Sequence, residues 1–155
     1  MMESMKYEEE IMKDEGIEEG VRDLRDRTKG LALRVVKLYS DLPKSTEAQV
    51  IGKQVLRSGT SVGANYREAH RARSGVEFVA KIGICLQELD ETAYWLELLV
   101  DAEIVPSHRL AALQDECNQL LAILTTISKR TKQTPSSLNP SSTNSPTRWK
   151  EKDEL

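Results

Sequence analysis

RSGTSVGANYREAHRARS, residues 57–74, is the stretch on which the fold turns. Sequence to either side repeats apolar residues at helical spacing. Here Ser58, Gly59, Ser61, Gly63 and Ala64 bring small side chains, Thr60 and Val62 are β-branched, and Asn65, Arg67, His70, Arg71 and Arg73 follow. Three readings compete: a phosphate-cradling loop, a catalytic centre, or a helix that approaches its neighbours closely. A Walker-type loop needs G-x-x-x-x-G-K-[ST], and no Lys follows either glycine. A dinucleotide fingerprint needs G-x-G-x-x-G after a strand, and the flanking pattern is helical.

Gly59 and Gly63 stand four residues apart, which puts them on one helix face. Each glycine costs roughly 1 kcal/mol of helix propensity relative to Ala. A chain tolerates that where a neighbouring helix comes close or a large side chain must fit. Tyr94 and Trp95 supply large rings, so the small residues read as a docking groove for them. A local helix irregularity near residues 59–63 is the competing structural reading.

Working outward, four segments carry the helical period. Leu24, Thr28, Leu31, Val35, Leu38 and Leu42 recur at steps of three and four until Pro43 stops the run. The second segment opens with Thr46 and Gln49 in capping-box spacing and continues through Ile51, Val55, Ser58, Val62, Asn65 or Tyr66, and Ala69. A second box, Ser74 with Glu77, opens a heptad seam of Val79, Ile82, Leu86, Leu89, Ala93, Leu96 and Val100. The fourth starts after Pro106, with Ser107 as N-cap, and runs through Leu110, Leu113, Cys117, Leu120, Leu124 and Ile127. Short links between long helices predict an all-α, antiparallel up-down-up-down four-helix bundle over residues 21–132.

The rest of the 155-residue chain reads as an acidic N-terminal extension, 1–20, and a disordered Ser/Pro/Asn-rich tail, 133–155. No run approaches 18 apolar residues, so no membrane span is expected. Cys85 and Cys117 fall on apolar faces and read as buried reduced thiols of a cytoplasmic protein. Lys152 to Leu155 spell an endoplasmic-reticulum retrieval address, but the N-terminal run has no apolar signal core, and the match reads as coincidence. Apolar residues off the main stripes (Ile84, Tyr94, Trp95, Leu98, Leu99, Leu121 and Ile123) exceed what one bundle core requires. They point to self-association, or else to a core stripe wider than the seam.

The run from Leu56 to Val105 closely resembles the bacterial four-helix-bundle family of proteins encoded in intervening sequences of large-subunit ribosomal RNA. Its most specific pieces are the S-V-x-A-N-x-x-E-A-like element at Ser61–Ala69 and E-x-D-E-T-x-Y-W-L-E at Glu88–Glu97. Many relatives have Ile-Ala after the Asn and Gly after the Glu, where this chain has Tyr66, Arg67 and Ala69. The resemblance spans about residues 22–131 and leaves out both tails. It implies an up-down bundle assembling as a ring-like homopentamer. A related protein serves diversity-generating retroelements as a basic partner of the reverse transcriptase and its RNA, so a nucleic-acid enzyme is an implied partner.

Chemistry finds little support. Di-iron bundles use Glu-x-x-His on two helices. This chain has two His, with Glu68-Ala69-His70 at the wrong spacing and His108 at a helix start. No G-x-S-x-G elbow accompanies Ser58, Ser61 or Cys85. The expectation is a non-enzyme with no metal or cofactor. Asn65, Glu68, Glu88 and Glu91 read as a buried polar lock, an amide and carboxylates with Arg partners, that fixes helix register.

Charge is the better functional lead. The net −3 conceals alternating blocks: −6 over 1–20, +3 over 21–43, +4 over 44–73, −6 over 74–103 and +2 over 104–132. The bases Arg22, Arg25, Lys29, Arg34, Lys53, Arg57, Arg67, Arg71 and Arg73 form a candidate RNA- or DNA-binding surface. Pairing with the acidic third segment and the C-terminal helix dipole are the competing account of the same bases. A protein-binding scaffold without a nucleic-acid role is the alternative.

Overall fold

A computed structural model of the chain describes residues 20–133, with side chains from residue 23 onward. Four helices fill it: α1, Gly20–Asp41; α2, Thr46–Ala69; α3, Gly75–Asp101; and α4, Ser107–Gln133. At 1.5 Å per residue they are about 33–40 Å long. The acidic extension and the tail lie, but for their innermost residues, outside the described residues.

Side-chain ladders give the direction of each helix. Gly63, Gly59 and Gly52 of α2 face Thr28, Val35 and then Tyr39 and Leu42 of α1, so one helix ascends as the other descends. Lys81 of α3 meets Glu68, and Thr92 meets Ser58. Arg27 reaches Gln119 at 2.9 Å, and also Glu116. The expected antiparallel four-helix bundle is the fold. Consecutive helices pack along their lengths, whereas α1 and α4 close the bundle over a shorter stretch.

The ends follow local chemistry. Ser45, not Thr46, caps α2, its hydroxyl accepting from Ala48 N at 3.4 Å. Ser74 caps α3 as its spacing predicts, accepting from Glu77 N at 3.1 Å. The Glu77 carboxylate reaches back to Arg73 N at 3.0 Å, so the box closes one residue early. α3 ends on Glu103 in the left-handed region, φ 59°, where Ile104 N turns back to Leu99 O at 3.0 Å.

Helix α3 corrects the predicted seam. Ile82, Leu89 and Leu96 are buried as expected, but the rest of the buried line is Phe78, Cys85, Thr92 and Leu99. Val79, Leu86, Ala93 and Val100 are only partly buried. Both flanks of α3 are apolar, so periodicity could not choose between them. Leu99, first assigned to surplus surface, is fully buried. In α2, Tyr66 is the core residue and Asn65 sits half-exposed.

The odd stretch is continuous helix as far as Ala69 and then turns, and its glycines do mark a close approach. Its partner is α1, not the rings of α3. A Cβ on Gly59 would meet both Val35 methyls at 2.8 Å, and one on Gly63 would touch Thr28 backbone at 3.4 Å. Tyr94 is 55 % exposed, and Trp95 is partly buried with its Nε1 donating to Glu91 at 3.2 Å. Neither ring enters the glycine groove, because α3 packs on the opposite flank of α2.

The polar residues of the stretch turn back on their own helix. Ser58 donates to Gln54 O at 2.9 Å, Thr60 to Leu56 O at 2.7 Å, Ser61 to Arg57 O at 2.7 Å, and Asn65 to Ser61 O at 2.9 Å. Their polar protons are thereby satisfied within α2 itself.

Candidate nucleic-acid interface

α2 has two charged flanks, and they differ. Toward α3, Arg57 spans both Glu88, at 3.3 Å, and Glu91. Glu68 takes Lys81 at 2.8 Å. The hydrogen bond from Arg57 holds the Glu91 carboxyl below the usual carboxylate range, and that from Lys81 does the same for Glu68. Reciprocally, Glu91 raises Arg57 and Glu68 raises Lys81. These acids thus make surface ion pairs.

The buried lock is uncharged: Thr92 Oγ1 stands 2.8 Å from Ser58 Oγ, with both residues fully buried. Ser58 gives its proton to Gln54 O, and Thr92 has both Ser58 Oγ and Glu88 O, the latter at 2.7 Å, as acceptors for its one proton, so neither hydroxyl is stranded. Of the four residues first assigned to that lock, Asn65 bonds only within α2 and the three glutamates sit at the rim. A carboxylate would have to be desolvated to lie where two hydroxyls do.

Toward α1 the pattern reverses. With Thr28 against Gly63 and Val35 against Gly59, helical periodicity places Arg25 and Lys29 on the outer side of the α1–α2 seam. The same periodicity places Lys53, Arg67 and Arg71 there from α2. All five are exposed, and none forms an ion pair with the described residues.

The carboxylates of these two helices lie elsewhere. Asp23 stands by Arg27 on the α4 side, Asp41 lines a cleft with α4, and Glu68 is held by Lys81 toward α3. By the same periodicity Asp26 and Glu47 also turn away from the seam. One face of the bundle is therefore predominantly basic, with carboxylates only at its edges: Glu68, whose charge Arg71 helps to favour, and Asp26, three residues from Lys29.

Other predicted bases separate from it. Arg34 lines a cleft of about 330 Å³ between α1 and α4, with Lys37, Arg109 and Asp41 above a floor that includes Leu38 and Leu113. Arg57 is drawn toward α3. Arg73 is exposed in the turn after α2, at the edge of the basic face. The side chain of Arg22 lies outside the described residues.

Among the described residues no group of three or more His, Cys, Asp or Glu stands together to hold a metal. Nor is any helix there long and apolar enough to cross a membrane. Cys85 and Cys117 are buried, and burial pushes each thiol up to about 12, far from a reactive thiolate. What sequence reasoning missed was the sorting of the bases between flanks. The signal was available in the helical positions of Asp23, Asp26, Asp41, Glu47 and Glu68 once the glycines were assigned to α1.

A crystal structure of a protein of unknown function from the S23 ribosomal protein family of Bacteroides thetaiotaomicron is similar. The two are 38% identical with a TM-score of 0.67, over 70% of this chain and 97% of the other. No curated protein matches. The profile of the 23S rRNA-intervening sequence protein family matches residues 23–126, from the first turns of α1 to near the end of α4. With its bundle, its two signature elements and that match, the chain belongs to the 23S rRNA-intervening sequence protein family.

Proposed function

We propose that the protein is a cytoplasmic, non-enzymatic, self-assembling bundle whose α1–α2 face binds the phosphate backbone of RNA or DNA, alongside a nucleic-acid enzyme as partner. The observation that carries this reading is the face on which Arg25, Lys29, Lys53, Arg67 and Arg71 cluster, exposed and with no ion pair to the described residues. A structural role within the bundle would pair these bases, as the α3 flank does; clustered without ion pairs among the described residues, they repel one another and favour a polyanion. The 23S rRNA in the family's name agrees with a nucleic-acid setting.

Self-assembly, as the pentamer that the resemblance implies, would use apolar side chains left outside the core. Leu33, Val50 and Val76 are 61, 58 and 83 % exposed. Assembly would repeat the basic face around a symmetry axis. The same exposed residues favour the second reading, a protein-binding scaffold with no nucleic-acid role.

Filter binding of single-stranded RNA and duplex DNA tests the proposal. Contact with about four phosphates predicts an affinity roughly 100-fold weaker at about 200 mM than at about 50 mM salt. Joint Arg25→Glu, Lys29→Glu, Arg67→Glu and Arg71→Glu replacement should abolish binding and leave helix content and assembly unchanged. No affinity at low salt, or an oligomer that falls apart in the variant, would favour the scaffold.

A further inference from the structure

We propose that the acidic segment 1–19 docks on the α1–α2 basic face and competes there with polyanions. This rests on the nucleic-acid reading for its consequence, though not for its geometry. Eight carboxylates against two Lys precede Gly20, three of them consecutive at Glu8–Glu10. The segment joins the bundle at Gly20, and Arg25 follows five residues later, about 7–8 Å along α1.

The antiparallel register brings the end of α2 to the same end of the bundle. Gly63 faces Thr28, so Arg67 and Arg71 lie beside the opening turns of α1. The roughly ten to twelve residues between Glu8–Glu10 and Gly20, taken as a flexible tether, would span on the order of 18 Å, enough to lay Glu8–Glu10 over Arg25, Lys29, Arg67 and Arg71. The rival cationic site is the α1–α4 cleft with Arg34, Lys37 and Arg109, but it contains Asp41 and lies at the far end of the bundle. Tethering makes the local carboxylate concentration millimolar in scale, so contacts too weak for a free peptide suffice.

The full-length chain can be tested directly. Cys85 and Cys117 are buried with thiols pushed up to about 12, so a nitroxide reagent at neutral pH attaches to Ser4→Cys alone. Docking predicts paramagnetic broadening of amides around Arg25, Lys29, Arg67 and Arg71 at low salt. It should vanish when Glu8, Glu9, Glu10, Glu18 and Glu19 are replaced by Gln. That neutralised chain should bind single-stranded RNA about tenfold more tightly at low salt, with the gap closing as salt screens the arm.

Broadening spread evenly over the four helices, or indifferent to the glutamines, overturns docking whatever the RNA does. Equal and measurable RNA affinity in the two chains overturns the competition and leaves the RNA-binding reading intact. Focused broadening with no RNA affinity in either chain upholds docking and instead overturns the proposed function.

Discussion

The two flanks of α2 hold their neighbours by opposite means. Against α3 the helix uses matched polar groups: a buried hydroxyl pair, Ser58–Thr92, and rim ion pairs from Arg57 and Glu68. Against α1 it removes side chains, leaving Gly52, Gly59 and Gly63 so that Val35, Tyr39 and Leu42 reach its backbone. Polar matching uses up charge, while close apolar packing leaves charge unspent. The bases that form no ion pair among the described residues therefore gather along the seam whose stability does not need them.

The largest expected effect separates the glycines. Gly59→Leu would drive a side chain into the stiff, β-branched Val35 methyls, and a destabilisation of about 3 kcal/mol is expected. Gly52→Ala meets Leu42 Cδ1 at 2.5 Å, the free end of a rotatable chain, and the edge of the Tyr39 ring at 3.0 Å, so with its single methyl it should cost less. Gly63→Ala finds ordinary contact distance and gains helix propensity, so it should be neutral or stabilising by up to about 1 kcal/mol. Urea denaturation of the three variants checks the order. Equal effects would mean that α1 does not rest on this flank.

This ranking marks where sequence reading reached its limit. The helices, Ser74 as a cap and Gly59 and Gly63 at a close approach were all legible, because periodicity and backbone propensity are local. Which neighbour approaches is not local: Tyr94 and Trp95 looked suitable by size, and only packing shows Val35 and Thr28 in their place. The seam of α3 was misread by one residue at every second position for a related reason, since Leu86 and Cys85 are both apolar. Likewise Glu88 and Glu91 were correctly grouped with α2, but depth relative to the core, which decides between buried lock and rim pair, is not written in spacing.

Next in size is a test of the α3 flank by alkali. The Cys85 thiol lies on it, 3.6 Å from Val62 O, and Cys117 is buried in α4. Both are pushed up to about 12 by burial, from an ordinary value of 9.0. A thiol raised on folding favours the protonated state, so its contribution is fully present below pH 9. It declines as the unfolded chain ionises above pH 9, until the folded pKa is reached. About 1.4 kcal/mol per thiol should be lost by pH 10. Cys85→Ala together with Cys117→Ala, although less stable overall, should lose less stability than the parent between pH 8 and pH 10.

Thr92→Val should cost about 1 kcal/mol. It removes a donor while Ser58 keeps Gln54 O as its acceptor. Adding Ser58→Ala to it should cost less than Ser58→Ala alone, and a chemical-denaturation cycle measures that coupling. Additive losses would show that the hydroxyls act only through their own helices and that α3 is held by apolar contact, as α1 is.

The smallest effect sets the two kinds of arginine side by side. Arg57 is 48 % exposed even while bridging Glu88 and Glu91, so Arg57→Ala should destabilise by less than about 1 kcal/mol, and salt should erase the difference. Its clearer signature is at Glu91, whose carboxyl the Arg57 hydrogen bond holds low. Such a pair contributes stability above the unfolded carboxylate pKa and loses it as pH falls through the lower, folded value. In Arg57→Ala the Glu91 carboxyl resonance should titrate closer to its ordinary range, and the acid limb of the stability curve should flatten. At salt high enough to screen the acidic segment, Arg67→Ala should change neither, because Arg67 forms no ion pair with a carboxylate of the described residues. An acid limb that shifts equally in both variants would mean that the α1 flank carries hidden pairs and that its bases are not free for a polyanion.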